Sequence, residues 1–388
     1  MNILYLSEND PRNTDFGGAQ RTHFIWEALK RKGTVYSVFF DQQFKTEEIA
    51  PRIWHVRKLL KVNFLRYFFY RFERKLLYPL NVLPLWPIPT LLDKDISDIF
   101  PHVRFDMVVC RYCFDLMEMH LWKFPRVYVD FDDHPIEMYN TLKCRNVPTY
   151  LRPLGRLIIK KQIDFLRSRI DGGWISNPGQ ACMIRCKGNA YLDVLKNIAL
   201  EPSYSYKVNA EREPLLMIVG AMSYYPNYTG VDKFLTEMWS KIHEKYPYLE
   251  LAIVGRGAPE EYTERWRQSP NVRLMGFVDD LELIYQSCLA TVVPVYSGGG
   301  TCIKTIESMS YSRVCLSSPF GARGLEDCLS LKIKGLQVFD SADSFLQVLE
   351  KYVLDEGNRA IAEKEANDYI RENYSKDAFI QTIMQTIR

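Results

Sequence analysis

The residues best placed to do chemistry in this chain fall between 294 and 325, in the stretch PVYSGGGTCIKTIESMSYSRVCLSSPFGARGL. Gly298, Gly299 and Gly300 follow a short apolar run, Ala290–Val293, and precede Ile303, Ile306 and Met309, which recur at helical spacing. The pattern predicts a buried strand, a turn stripped of side chains, and a helix opening at once behind it. Bare amides at a helix start, with the positive end of the helix dipole, make an anion site. Lys304 and Glu307 are three residues apart and share one face of that helix. A cation, an acid and free amides in one corner suit a phosphate attached to a sugar. The plainer alternative is a tight turn whose glycines serve backbone geometry alone.

Two further sets stand out. Asp130, Asp132, Asp133 and His134 gather at the end of the apolar run 127–131. Carboxylates are costly to bury without purpose. One of Asp132, Asp133 or His134 could orient a hydroxyl or take its proton; capping the segment after Pro135 is the competing role. The other set is RKLLKVNFLRYFFYRFERK, residues 57–75, with seven Lys or Arg and one acid, Glu73, among Phe64, Tyr67, Phe68, Phe69, Tyr70 and Phe72. Arg66, Arg71, Arg74 and Lys75 amid aromatics fit an interfacial helix on anionic lipid. A helix pair packed on its own domain, cations outward, is the alternative. A net charge of +3 over the whole chain speaks against nucleic acid as partner.

These sets need elements to hold them. The first half alternates strands over 3–6, 35–40, 107–110, 126–131 and 173–176 with helices over 19–32 and 150–169. The loop 7–18 is rich in turn formers, Gly17 and Gly18 among them. Regularity lapses over 197–213. A second series then places strands over 215–219, 249–254, 272–274, 290–293 and 314–317, with helices over 230–245 and 280–286 between them. Alternation of this kind predicts α/β architecture: two Rossmann-like, doubly wound domains facing a cleft, over 1–197 and 214–375, joined by a linker at 198–213. Residues 376–388 read as an amphipathic helix that can pack back on the first domain, through Phe379, Ile380, Ile383 and Ile387. Ligands of such sheets bind outside the carboxyl ends of the strands, where both glycine loops fall.

Bulk composition agrees. A chain of 388 residues suits two domains, and 47% apolar with 25% charged residues is globular. Nine scattered cysteines point to reduced thiols in the cytoplasm. Cys110 and Cys113 lack a second pair, and Cys182 and Cys186 have no histidine near, so no metal site is expected. MNILYLS enters a strand pattern without a signal sequence, and no apolar run approaches the ~18–20 residues of a membrane span.

Set in order, these landmarks resemble the GT-B retaining glycosyltransferases of family 4, and among them bacterial sugar transferases of surface-polysaccharide assembly. The resemblance is strongest over 215–325, in LLMIVGAMSYYPN, LELAIVGRGAP, NVRLMGFVDDLELIY and the glycine-loop stretch. Gly17, Gly18 and Ala19 resemble the first-strand glycine loop of the family; DGGWIS at 171–176 and Lys196 to Ile198 resemble two shorter landmarks. It implies a UDP- or GDP-linked sugar held mainly by the second domain. The acceptor, a lipid-linked glycan or an oligosaccharide, would be held mainly by the first. Transfer would retain configuration and use no metal or other cofactor. An Asp130-Phe131-Asp132 triplet spells the DXD of metal-dependent GT-A enzymes, which the two-domain layout opposes. The enzyme is expected at the inner face of a membrane.

The resemblance also assigns residues. Glu307 matches the second of two family glutamates with seven residues between them, the one on the donor ribose. The first would fall at Gly299, so the usual sugar contact is missing. The family often puts an arginine and a lysine after the strand 215–219, where this chain has AMSYYPNY. The amides of Gly300 and Thr301, with Lys304, are therefore expected to neutralise the leaving diphosphate, next to Gly298 and Gly299. Arg256 is read either as a further phosphate contact or as a loop charge, and Asn227 either as a helix cap or as a site residue. The missing acid leaves a second reading open, a catalytically inactive subunit that binds a partner enzyme or glycan.

Overall fold

The computed structural model describes residues 1–40, 45–60, 64–82, 90–92, 96–112, 124–200, 202 and 212–387. It divides into two compact units, Met1–Lys196 with Asp377–Arg388, and Asn197–Lys376.

The first unit is built on β1 (Asn2–Ser7), β2 (Thr34–Phe39), β3 (Glu47–Ala50), β4 (Ile53–His55), a ribbon of β5 (Lys58–Leu60) and β6 (Thr90–Leu92), then β7 (Met107–Arg111), β8 (Val127–Asp132), β9 (Gly172–Ile175) and β10 (Asp193–Val194). Its main sheet runs β10-β9-β8-β7-β1-β2-β4-β3. Every pairing is parallel except β3 with β4. Central strands of a parallel sheet are covered on both faces. That is why Ile3–Leu6, Met107–Cys110 and Val127–Phe131 are continuously apolar apart from Asp130, and why they are buried. The terminal helix Lys376–Thr386 belongs to this unit: Phe379, Ile380 and Ile383 are buried, Phe379 meets the ring of Phe24, and Trp174 Nε1 donates to Thr386 Oγ1 at 2.9 Å.

The second unit contains β11 (Leu215–Val219), β12 (Glu250–Val254), β13 (Val272–Gly276), β14 (Ala290–Val293), β15 (Val314–Ser317) and β16 (Leu336–Val338), ordered β13-β12-β11-β14-β15-β16 and all parallel. The chain winds outward from β11 in one direction, then returns to β14 and winds the other way. Neighbouring loops after β11 and β14 therefore diverge, leaving a crevice at the carboxyl ends of these two strands.

Some boundaries differ from the sequence expectation. Gly17 and Gly18 are the first residues of the helix Gly17–Lys32 and not part of the loop before it. The helix expected from Gly230 begins at Tyr225, since Pro226 is tolerated in a first turn, and it continues through a wider turn at Leu235–Trp239. Gly230 sits inside it because a Cβ there would lie 1.8 Å from the carbonyl oxygen of Pro294. The glycine-loop helix is Ile303–Ser310, opening after Cys302 and not at Gly300. Short strands β3, β4 and β16 and the helices Ala342–Leu349 and Glu356–Asn373 had no counterpart in the sequence reading.

Candidate donor and acceptor sites

At the switch point of the second unit, the loop after β14 carries Gly298, Gly299 and Gly300. Gly298 and Gly300 have φ of 127° and 55°, where side chains are disfavoured, whereas Gly299 is not among the positive-φ residues. The loop is tied down from behind. Thr305 Oγ1 donates to the Gly321 carbonyl at 2.8 Å, Ser318 Oγ donates to the Val295 carbonyl, and Asn197 Nδ2 donates to the Thr301 carbonyl at 3.4 Å. The last bond brings Asn197, at the start of this unit, onto the loop.

Lys304, in the first turn of the helix, crosses to the β11 loop, where its Nζ donates to Asn227 Oδ1 at 2.9 Å. Asn227 is 7% exposed and its Nδ2 donates to the Ala221 carbonyl at 2.7 Å. Asn227 is therefore no helix cap: the helix starts at Tyr225, and the amide side chain joins the two loops that flank the switch point. Lys304 is held by a neutral acceptor, so its charge is not cancelled there.

One helical turn on, Glu307 accepts a hydrogen bond from Tyr285 Oη at 3.1 Å. Tyr285 is buried and stacks face to face on Tyr311, ring centroids 4.1 Å apart. Burial pushes the Glu307 carboxyl above the usual carboxylate range; the Tyr285 hydrogen bond and the Lys304 charge oppose this in part. Arg256 is exposed after β12, its guanidinium 5.1 Å from the centre of the Phe277 ring. The structure thus gathers Lys304, Asn227 and Glu307 around the glycine loop, and it places Arg256 on the Phe277 ring instead.

The acidic set of the first unit proves to be half of a charge cluster. Asp130 is fully buried, and Arg21 grips it with two hydrogen bonds, Nε at 2.9 Å and Nη2 at 2.6 Å; Arg111 Nη1 donates to the same carboxylate. Burial alone would raise the Asp130 pKa, but the two guanidiniums outweigh it and hold it below the usual range. Arg111 Nη2 also donates to Asp132 at 3.0 Å, and Arg21 Nε lies 3.6 Å from it. Asp132 has a φ of 57°, at a register shift between β8 and β9. Two cations and two anions balance, so this carboxylate is paired rather than open. His134 takes the capping role: its Nδ1 accepts from the Ile136 amide at 3.3 Å at the start of Pro135–Thr141. Burial lowers its pKa. Asp133 is partly buried on the turn between them. Gly18 contributes its carbonyl to Arg111 Nη2, at 3.3 Å.

Sequence reasoning missed Arg21, Arg111 and Tyr285. Arg111 left a signal, a lone cation ending an apolar strand. The partners of the others are distant in sequence.

In the helix Phe64–Leu77, Phe68, Phe69, Phe72 and Leu76 are 60–65% exposed, and Arg71, Arg74 and Lys75 are exposed beside them. At 100° per residue the four apolar positions form one stripe and the three cations its flank. Arg66 lies in this helix; its side chain falls outside the described residues, as does Cys113 of the CxxC pair. Among the described residues no helix is long and apolar enough to cross a membrane, and no group of three or more His, Cys, Asp or Glu could hold a metal ion.

Residues 213–355 match the family described as glycosyl transferases group 1. The second unit is a group 1 glycosyltransferase domain. Solved structures extend the likeness to the fold of the whole chain. TarM aligns at a TM-score of 0.64 and 11% identity, over 99% of this chain and 98% of that one. WaaG, a glycosyltransferase involved in lipopolysaccharide biosynthesis, aligns at 0.62 and 11% over 98% of each. Anabaena HepE in complex with UDP aligns at 0.63 and 9% over 100% and 99%. A second TarM structure, an S. aureus point mutant with fondaparinux, alpha-GlcNAc-glycerol and UDP, aligns at 0.53 and 13% over 72% of this chain and 55% of that one. The fold is GT-B, as expected from the sequence. No curated protein sequence matches the chain.

Proposed function

We propose that this protein transfers a sugar from a UDP- or GDP-linked donor to a lipid-linked glycan, with retention of configuration, in the synthesis of a surface polysaccharide or glycoconjugate. The observation that carries the proposal is the meeting of Lys304, the glycine loop and Glu307 at the switch point of a group 1 glycosyltransferase domain. HepE and trehalose-6-phosphate structures of similar fold hold UDP or UDP-sugars. In this chain the Gly300 and Thr301 amides and Lys304 would stabilise charge on the departing diphosphate, and Glu307 would take ribose hydroxyls. Asp132 and Asp133, on the first unit, would orient the acceptor, with Asp132 positioned by Arg111 and Arg21. The apolar and basic stripe of Phe64–Leu77 supports delivery of the acceptor from an anionic membrane surface, with the enzyme on the cytoplasmic face.

Turnover of a panel of UDP- and GDP-sugars by purified protein tests the proposal. Nucleotide release that rises with a lipid-linked acceptor, and that survives a chelator, is the expected result. Nucleotide binding without hydrolysis or transfer of any sugar would favour an inactive binding subunit instead, consistent with the absent acid at Gly299.

A further inference from the structure

One cation near the glycine loop has no hydrogen-bonding partner for two of its nitrogens among the described residues. Arg323 follows β15 in the sequence Phe320-Gly321-Ala322-Arg323-Gly324. Its Nε and Nη2 are buried and make no hydrogen bond to any described residue. The guanidinium carbon lies 4.2 Å from the centre of the Phe320 ring, a contact that offers no acceptor. Glu326, the nearest acid along the chain, instead turns Oε1 to the Gly324 amide at 2.9 Å. Two buried guanidinium donors left without an acceptor are disfavoured unless something completes them.

Its neighbours say where the missing partner belongs. The Phe320 ring faces the glycine loop: a Cβ on Gly298 would lie 3.9 Å from Phe320 Cε1. Gly324, next to Arg323, is pressed so close to the loop that a Cβ there would fall 2.0 Å from Thr301 Oγ1. Arg323 thus lies in the chain between two residues, Phe320 and Gly324, that abut the segment 298–301 on the side of the loop reached by β15. Lys304 approaches from the side of β11, through Asn227. The β11 loop itself carries no cation, and Gly299 carries no acid.

We propose that Arg323 is a donor-binding residue that receives an oxyanion of the nucleotide sugar through Nε and Nη2. The oxyanion is either a diphosphate oxygen or a carboxylate on the sugar; both match the fork of a guanidinium. The inference rests on the donor site proposed above. Gly299 is part of the same design: an acid there would compete for Arg323, and its absence leaves the fork to the ligand.

Calorimetric titration of the full chain with UDP, GDP, UDP-glucose and UDP-glucuronate tests this, in wild type, Arg323→Met and Arg323→Lys. Arg323→Met should weaken binding tenfold or more, and Arg323→Lys should restore only part of it. Loss shared by UDP or GDP and the sugar nucleotides marks a diphosphate contact; loss confined to UDP-glucuronate marks a sugar carboxylate. Removing two unsatisfied buried donors should also raise the melting temperature of the protein without nucleotide, by about 2–4 °C. Unchanged affinities in Arg323→Met, with wild type binding, overturn the inference alone. Lost binding with a lowered melting temperature shows a structural role and overturns it too. Failure of wild type to bind any of the four overturns this inference together with the donor site it rests on.

Discussion

Replacing Lys304 by Met separates what this residue does for the fold from what it does for the reaction. Its ammonium makes one described hydrogen bond, 2.9 Å to Asn227 Oδ1. Asn227 is 7% exposed, so the change leaves a buried carbonyl oxygen short of a donor. That costs about 1–2 kcal/mol, or a melting shift of about 2–8 °C at 2–4 °C per kcal/mol. If the ammonium neutralises a departing diphosphate, its loss should cost about 2.7–4 kcal/mol in the transition state, a 10²–10³-fold fall in kcat. Asn227→Ala is the matched control. It breaks the same bond, with a comparable melting shift, but keeps the charge, so kcat should fall far less. The assay is nucleotide release at saturating donor, beside thermal melting of each variant. Equal losses of kcat in the two variants would refute the reasoning, because the bond between the loops and not the charge would then be what catalysis needs.

Other perturbations address the first unit. Asp130→Asn should destabilise by about 3–5 kcal/mol, since Arg21 and Arg111 lose a buried anion; a melting curve within about 1 kcal/mol of wild type would contradict the cluster as described. The depressed pKa of His134 means the folded state binds its proton less tightly than the unfolded chain. Stability from this group is therefore complete above about pH 6.5 and declines as the pH falls further. His134→Asn, which keeps a capping acceptor, should flatten that decline in pH-dependent melting, and an unaltered slope would assign it elsewhere. Replacing Arg71, Arg74 and Lys75 by Ser should release the protein from vesicles containing anionic lipid in a flotation assay, whereas undiminished flotation would argue that the helix is an internal packing element.

How much of this was legible depended on how local the physics is. Leu215–Val219, Ala290–Val293 and Val314–Ser317 coincide with the strands read from sequence, because a strand buried on both faces leaves an unbroken apolar run between polar loops. The glycine loop was legible as a turn, but not where its helix begins. Gly300 at φ 55° and Cys302 in an extended conformation keep the chain out of the helix until Ile303. The acidic set was visible as unusual. Its meaning was not, since Arg21 is one of four Lys or Arg in an ordinary helix and lies 109 residues before Asp130. Tyr285 and Glu307 are likewise joined only by folding, across 22 residues. Helix Glu356–Asn373 escaped because its buried positions, Ala362, Glu363, Ala366, Tyr369 and Ile370, include two small residues and an acid and are set among many charges.

Gly299 brings charge and geometry to a single test. Of the three loop glycines, 298 and 300 adopt backbone angles that disfavour side chains, and 299 does not. Conformation therefore does not explain glycine at 299, and charge remains. Glu307, the carboxylate on the helix that follows this loop, is already pushed toward its protonated form by burial, despite Lys304 next to it. An additional acid at 299 would raise that carboxyl further and would offer Lys304 and Arg323 a partner within the protein. Each effect opposes a bound polyanion. Restoring an acid with Gly299→Glu should consequently leave the fold intact while weakening binding of UDP or GDP. Tighter nucleotide binding in that variant would show that the loop is tuned for something other than negative charge.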